Sequence, residues 1–215
     1  MSFDIKKYRA LVFDCDGVIL NSNKVKTEAF YRAALPFGEH AAKSLVEYHV
    51  ANGGISRYKK FNYFLERIIG QGSEEQLNKL LESYANYVKV GLLSCEIASG
   101  LEDLRTKTPE SKWFIVSGGD QNELREVFST RGISKYFDGG VFGSPDAKEF
   151  ILAREIGTQN ISLPGLFLGD SKYDYVAAQS AQLDFVFLSA WSEVVDWEQW
   201  VGNHNIKTLQ SVAEI

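Results

Sequence analysis

The chain is poor in several features, and each shortage narrows what it can be. Its 215 residues hold two cysteines, Cys15 and Cys95. They are too few for a disulfide framework and too far apart for a zinc site, so both read as reduced thiols. Long apolar runs are missing as well. Ala10 to Phe13 and Phe185 to Leu188 fall far below the roughly 18 residues that span a bilayer, so no transmembrane helix and no membrane partner is expected. Positive charge is in the minority, with 23 Lys and Arg against 28 Asp and Glu and a formal net charge of −5. Without a long basic run to offset that sign, nucleic acid is excluded as a partner. The opening MSFDIKKYRA lacks the apolar stretch and cleavage site of a signal peptide, so the cytoplasm is the expected compartment. What is present is an ordinary globular composition, 45% hydrophobic and 24% charged, able to bury a sizeable core. The length suits one core with a small insert.

The rhythm of the sequence changes twice. Ala10 to Phe13 is a short apolar run broken by DCDG, the pattern of a buried strand ending in a polar turn. From about Asn23 to Val90 apolar residues recur at helical spacing: Ala29, Phe30, Ala33 and Ala34, then Phe61, Phe64, Leu65 and Ile68, then Leu77, Leu80, Leu81 and Tyr84. Asn52-Gly53-Gly54 and Gly70-Gln71-Gly72-Ser73 punctuate this block, with Ser73, Glu75 and Gln76 forming a capped helix start. Beyond Gly91, strand-like runs at Trp113–Val116, Gly140–Phe142, Leu166–Leu168 and Phe185–Leu188 alternate with helical ones, which predicts a parallel sheet. The first strand cannot bury itself among helices and joins that sheet. The expected architecture is therefore an α/β, Rossmann-like core from residues 1–19 and 92–215 with an all-helical insert, residues 20–91. Its linkers are expected at Val18 to Ser22 and about Gly91 to Ser94.

Chemistry gathers at predicted strand ends, where open α/β sheets place their ligands. Asp14 and Asp16 lie two apart in extended chain, so both carboxylates face one pocket while Cys15 points away, and Gly17 permits a tight turn. One carboxylate can attack phosphorus while the other protonates the leaving oxygen and later activates water. The same residues also suit a plain acidic turn. Asp170 and Asp174, in FLGDSKYD, repeat the arrangement, and four converging carboxylates call for a cation whose hard oxygen ligands suit Mg²⁺. Ser171 to Asp174 equally has capping-box spacing. Ser117-Gly118-Gly119 follows a strand and precedes a helix, a place for backbone amides and a hydroxyl to cradle phosphate, with Asp120 and Glu123 spaced as a capping pair. Ser144-Pro145 marks a helix start with proline in first position, leaving Lys148 in the first turn. A cation there opposes the helix dipole at a cost of about 0.3–1 kcal/mol, which fits a lysine held to neutralise an aspartate and a phosphate. A solvated lysine is the alternative.

DCDGV, IVSGG ending at Gly119, SPDAK ending at Lys148 and LGDSKYD ending at Asp174 occur in order. Together they resemble the haloacid dehalogenase superfamily, and the helical insert resembles the small cap of its β-phosphoglucomutase and phosphoglycolate phosphatase branch. The resemblance implies Asp14 as nucleophile, Asp16 as general acid/base, and Ser117, with Gly118, and Lys148 as phosphate holders. It implies Asp170 as a magnesium ligand, completed by Asp14 and the Asp16 main-chain carbonyl; Asp174, from its place among the four carboxylates, is expected to support the metal site. In the cap, GISR at Gly54 to Arg57 is similar to the stretch whose arginine meets the far end of a phosphorylated sugar. Two departures stand out: Asn21-Ser22 lacks the usual acidic residue, and the third motif has its lysine a helical turn later than the Lys-Pro form.

The expected activity is Mg²⁺-dependent hydrolysis of a small phosphorylated metabolite such as a sugar phosphate or phosphoglycolate. Dehalogenases of the superfamily lack a carboxylate at the position of Asp16. Mutases of the branch carry a cap histidine where this chain has Lys26, and His40, His49 and His204 are isolated, so phosphatase ranks above phosphosugar mutase. A non-catalytic interaction protein, with Trp191, Trp197 and Trp200 as its surface, is the third reading. Spaced aromatics of this kind more often pack on their own core. The substrate and the oligomeric state stay open.

Overall fold

Ten residues after the first strand leaves the sheet, the chain is already helical, and it returns to the sheet only about ninety residues later, at Lys112. The computed structural model describes residues 4–215. Strand β1 (Ala10–Phe13) leads into helices α1 (Asn23–Ala34), α2 (Glu39–Ala51), α3 (Arg57–Tyr63) and α4 (Glu74–Ser94). The rest alternates: α5 (Leu101–Lys107), β2 (Lys112–Asp120), α6 (Gln121–Thr130), β3 (Gly140–Ser144), α7 (Lys148–Gly157), β4 (Gly165–Gly169), α8 (Lys172–Ser180), β5 (Asp184–Leu188), α9 (Trp197–His204) and β6 (Lys207–Leu209). The six strands form one parallel sheet in the order β3-β2-β1-β4-β5-β6. This is the Rossmann-like α/β architecture that the alternating runs predict. Strand order reverses at β1, the switch point outside which such sheets bind ligands.

Because side chains alternate across a strand, the buried apolar strands feed two cores. Ala10, Val12, Phe114, Val116 and Phe167 pack on one face with Ile151 and Leu152 of α7 and Ala177 and Ala178 of α8. Leu11, Phe13, Trp113, Ile115, Leu166 and Leu168 pack on the other. That second core runs through Val18, Ile19 and Leu20 into the insert, where Phe30, Leu45, Phe61, Phe64, Tyr84 and Val88 continue it.

Several local expectations need correcting. Gly91 does not end a helix, because α4 continues to Ser94. A β-carbon on Gly91 would lie 2.2 Å from Cγ1 of Val25, so this glycine lets α1 and α4 approach closely. The return crossing lies further on, where Asn21 N–H donates to the Glu96 carbonyl and Ala98 N–H to the Ile19 carbonyl, both within 2.9 Å. Pro145 does not open a helix either. Ala147 is extended and caps α7, so Lys148 is the first helical residue. The strand β6 had no signal, being three residues long and partly exposed. At the tail the expected packing holds: Trp197 stacks on Phe187 at 5.7 Å and Trp200 meets the same ring edge-on at 5.6 Å. Among the described residues no helix is long and apolar enough to cross a membrane.

Candidate active site

The carboxyl ends of β1, β2 and β4 meet the inner surface of the insert around a buried cavity of about 50 Å³. Asp14 follows β1, and its N–H donates to the Leu168 carbonyl of β4 at 2.9 Å, which fixes the two strand ends side by side. Asp14 is 2% exposed. Its Oδ1 accepts from the Cys15 N–H at 2.7 Å and pairs with Lys148 Nζ at 2.9 Å. Oδ2 has no hydrogen bond among the described residues. Cys15, as the alternation requires, turns into the apolar core.

Lys148 is fully enclosed between two carboxylates, 2.9 Å from Asp14 and 2.5 Å from Asp174. Burial opposes its charge, but the two aspartates raise its pKa well above the ordinary lysine value. The cation at the start of α7 is therefore held by side chains rather than by its helix. Asp174 Oδ2 accepts from the N–H groups of Asp170 and Ser171 at 3.2 and 3.0 Å and from the Ser171 hydroxyl at 2.7 Å. The capping box and the ion pair are thus both made, with Asp174 Oδ2 given to the cap and Oδ1 to Lys148.

Asp14, Asp170 and Asp174 each offer a carboxylate oxygen within 4.8 Å of the others. Gly17 makes this approach feasible. It has a φ of +74°, and a β-carbon there would sit 2.0 Å from Asp170 Oδ2. Asp170 also accepts from Asn23 Nδ2 at 2.8 Å. Burial, then the charges of Asp174 and Asp14, push its carboxyl well above the usual range. Burial likewise raises Asp14, to about 7, with Lys148 pulling the other way. Two oxygen donors destabilised by burial and mutual repulsion form a set that a hard divalent cation would relieve, so the residues fit Mg²⁺.

Asp16 lines the same cavity, but its carboxylate stands apart from this trio. It accepts from the Ser22 hydroxyl at 2.6 Å and forms a short ion pair with Lys26. Burial would raise its pKa, yet Lys26 and Ser22 hold it below the ordinary carboxylate value. Both Asp16 carboxylate oxygens are thus engaged, away from the cluster of Asp14, Asp170 and Asp174. Ser117 is buried and accepts from the Gly119 N–H at 3.1 Å, while Gly118 and Gly119 line the cavity.

On the insert side, Arg57 reaches the cavity with its guanidinium already engaged. It makes two bonds to Glu123, of 3.1 and 2.5 Å, and lies 4.4 Å from the centre of the Tyr84 ring. Asp120 caps α6 through the N–H groups of Asn122 and Glu123, whereas the Glu123 side chain turns to Arg57 instead of completing a capping box. Tyr58 donates to Asp120 at 2.9 Å, a second tie between insert and core. Sequence reasoning missed Asn23, His49, Lys60, Glu123 and Glu193, which come together only in three dimensions. Arg57 apart, no motif or spacing marks the inward turn of the polar residues of α2 and α3.

The sequence matches the haloacid dehalogenase-like hydrolase family over residues 8–182. It is 25% identical over 186 residues to the phosphorylated carbohydrates phosphatase of Thermotoga maritima, covering 83% of each chain. Among solved structures, a predicted phosphatase from Clostridium acetobutylicum superposes with a TM-score of 0.74 at 18% identity, over 96% of this chain and 95% of that one. The β-phosphoglucomutase of Clostridium difficile does so with a TM-score of 0.70 at 21% identity, over 97% and 93%.

Proposed function

Because the chain belongs to the haloacid dehalogenase-like hydrolases and is a phosphatase of that family, we propose that it hydrolyses a small phosphorylated metabolite through an aspartyl phosphate on Asp14, with Mg²⁺ as cofactor. The observation that carries this reading is the state of Asp14: Oδ1 is fixed by Lys148 and the Cys15 N–H, while Oδ2 is free at the switch point of the sheet. A nucleophile needs one oriented, unengaged oxygen.

In the first step Asp14 Oδ2 bonds to phosphorus and the ester oxygen departs, taking a proton from the carboxyl group of Asp16. In the second, Asp16 removes a proton from water, the water oxygen bonds to phosphorus, and the acyl phosphate bond breaks to return Asp14 and release phosphate. The ion pair with Lys26 keeps Asp16 ionised in the resting site, the form suited to the second step. For the first, Asp16 must take up a proton as substrate displaces Lys26. Lys148, Ser117 and the Gly118 amide hold the phosphoryl oxygens. Asp14, Asp170 and the Asp16 carbonyl would hold Mg²⁺, which supplies neutralisation of the charge between nucleophile and phosphate. Asp174 positions Lys148. The helices of residues 20–91 act as a cap that covers the site and opens for substrate entry. Lys26 on Asp16, where mutases of the branch carry histidine, favours hydrolysis over isomerisation.

Phosphate release from a panel of phosphorylated sugars, acids and nucleotides tests the reading, with Mg²⁺ or EDTA and with Asp14→Asn as control. Metal-dependent turnover that Asp14→Asn abolishes is expected. Turnover of no ester, or turnover retained in Asp14→Asn, would overturn it.

A further inference from the structure

The buried cations around the cavity are matched by carboxylates, with one exception. Lys26 has Asp16, Arg57 has Glu123, and Lys148 has Asp14 and Asp174. Lys60, on α3 and 2% exposed, has no carboxylate within 4.0 Å among the described residues. Its Nζ approaches only His49, at 2.6 Å from Nδ1 and 3.4 Å from the carbonyl, and the ring of Phe30, 5.4 Å to its centre. Since His49 Nδ1 accepts from the ammonium, the imidazole proton belongs on Nε2. That Nε2 is buried without a partner. A cation with no counter-charge and an N–H with no acceptor thus lie side by side, and both residues line the cavity that holds Asp14, Asp16 and Asp170.

Resting on the phosphatase reading, we propose that Lys60 and His49 seat a second anionic group of the substrate, a carboxylate or a phosphate carried beyond the ester that is cleaved. An unpaired buried charge is costly, and an anion restores what is missing: an acceptor for the imidazole N–H and a counter-charge for the ammonium. A hydroxyl would supply the acceptor but not the charge. Burial, followed by the repulsion of Lys26, lowers the Lys60 pKa to about 7, and an arriving anion would draw the proton back on. The nearby Glu193 is only half-buried and is bonded to the Thr27 hydroxyl at 3.2 Å, outside pairing distance of Lys60. Arg57, to which family resemblance gives the far end of the substrate, has its charge matched by Glu123. The cleaved phosphate is met by core residues, whereas Lys60 and His49 reach the cavity from the insert.

Calorimetric titration of the Mg²⁺-loaded protein tests this with non-hydrolysable probes: propylphosphonate, phosphonopropionate and the corresponding bisphosphonate. At least one of the two doubly anionic probes is expected to bind about tenfold or more tighter than propylphosphonate, the ratio one charge-assisted hydrogen bond carries. Which of them does so identifies the group. Lys60→Gln is expected to bring that ratio close to unity. Should Lys60→Gln not fold, His49→Phe, which keeps the stacking on Phe30, is expected to reduce the ratio severalfold. Equal binding of all three probes, binding of none, or a ratio unchanged in the variants overturns the proposal. Because binding is read without turnover, ester hydrolysis with no probe preference would sink this inference and leave the phosphatase reading standing. Probe preference without hydrolysis of any ester would do the reverse.

Discussion

The carbonyl oxygen of Gly54 lies 2.2 Å from the point where a β-carbon on Gly118 would sit. The insert therefore rests directly on the strand-end loop, and a single methyl group is enough to separate them. Gly118→Ala is expected to hold the cap off the core and lower kcat/KM on the order of 10²-fold, the cost of misplacing positioning groups by about an ångström. Steady-state kinetics on the best ester checks this, with the thermal midpoint as a control for folding.

The Arg57–Glu123 pair crosses the same junction with both side chains nearly enclosed, 6% and 12% exposed. Glu123→Ala strands a buried guanidinium, and breaking such a pair costs about 3–5 kcal/mol. Urea unfolding is expected to register a loss of that order, and the double variant Arg57→Met/Glu123→Met should recover most of it. A double variant as unstable as Glu123→Ala would contradict the assignment.

Lys60 also gives stability a pH dependence of definite sign. Its folded pKa, about 7, lies below the ordinary lysine value, so between these limits the unfolded chain binds more protons than the folded one. The penalty is full below pH 7 and is relieved as pH rises toward 10. The ligand-free parent is expected to gain stability over this range relative to Lys60→Met. Parallel melting curves at pH 6.5 and pH 9, compared between the two proteins, would expose the difference as about several degrees in Tm.

Removing metal should destabilise as well as inactivate. Asp14 and Asp170 repel each other in the absence of a cation, so Mg²⁺ at about a hundredfold over its Kd should stabilise the fold by roughly 2.7 kcal/mol. Asp170→Asn is expected to abolish that increment and to make the metal-free protein more stable than the metal-free parent. Scanning fluorimetry with Mg²⁺ or EDTA reads both effects.

The sheet was legible because parallel strands buried on both faces must be continuous apolar runs, and Ala10–Phe13 or Leu166–Leu168 can be little else. The carboxylates were legible for a related reason: Asp14 and Asp170 each end such a run. Gly91 misled because glycine is read as a stop, while its purpose here is contact with Val25, a residue distant in sequence. Pro145 misled because proline suits a helix start, yet the helix begins only at Lys148, after the extended Ala147. Lys60 gave no signal, His49 read only as an isolated histidine and Glu123 only as a cap partner, since a polar residue on an amphipathic helix looks the same whether it faces water or a polar cavity. What the motif residues do in catalysis was read from resemblance, and their juxtaposition needed the fold.

Placing β1 at the middle of the sheet has a consequence for how the molecule is made. Ala10 pairs with Lys112 on one side and with Gly165 on the other. The earliest of these six strands is therefore the one that waits longest for both neighbours, while the helices that follow it make mostly local contacts and can form early. Asp14 meets Lys148 and Asp170 only when most of the chain has been synthesised. Nascent chains stalled before β4 should therefore lack the assembled cluster of Asp14, Lys148 and Asp170.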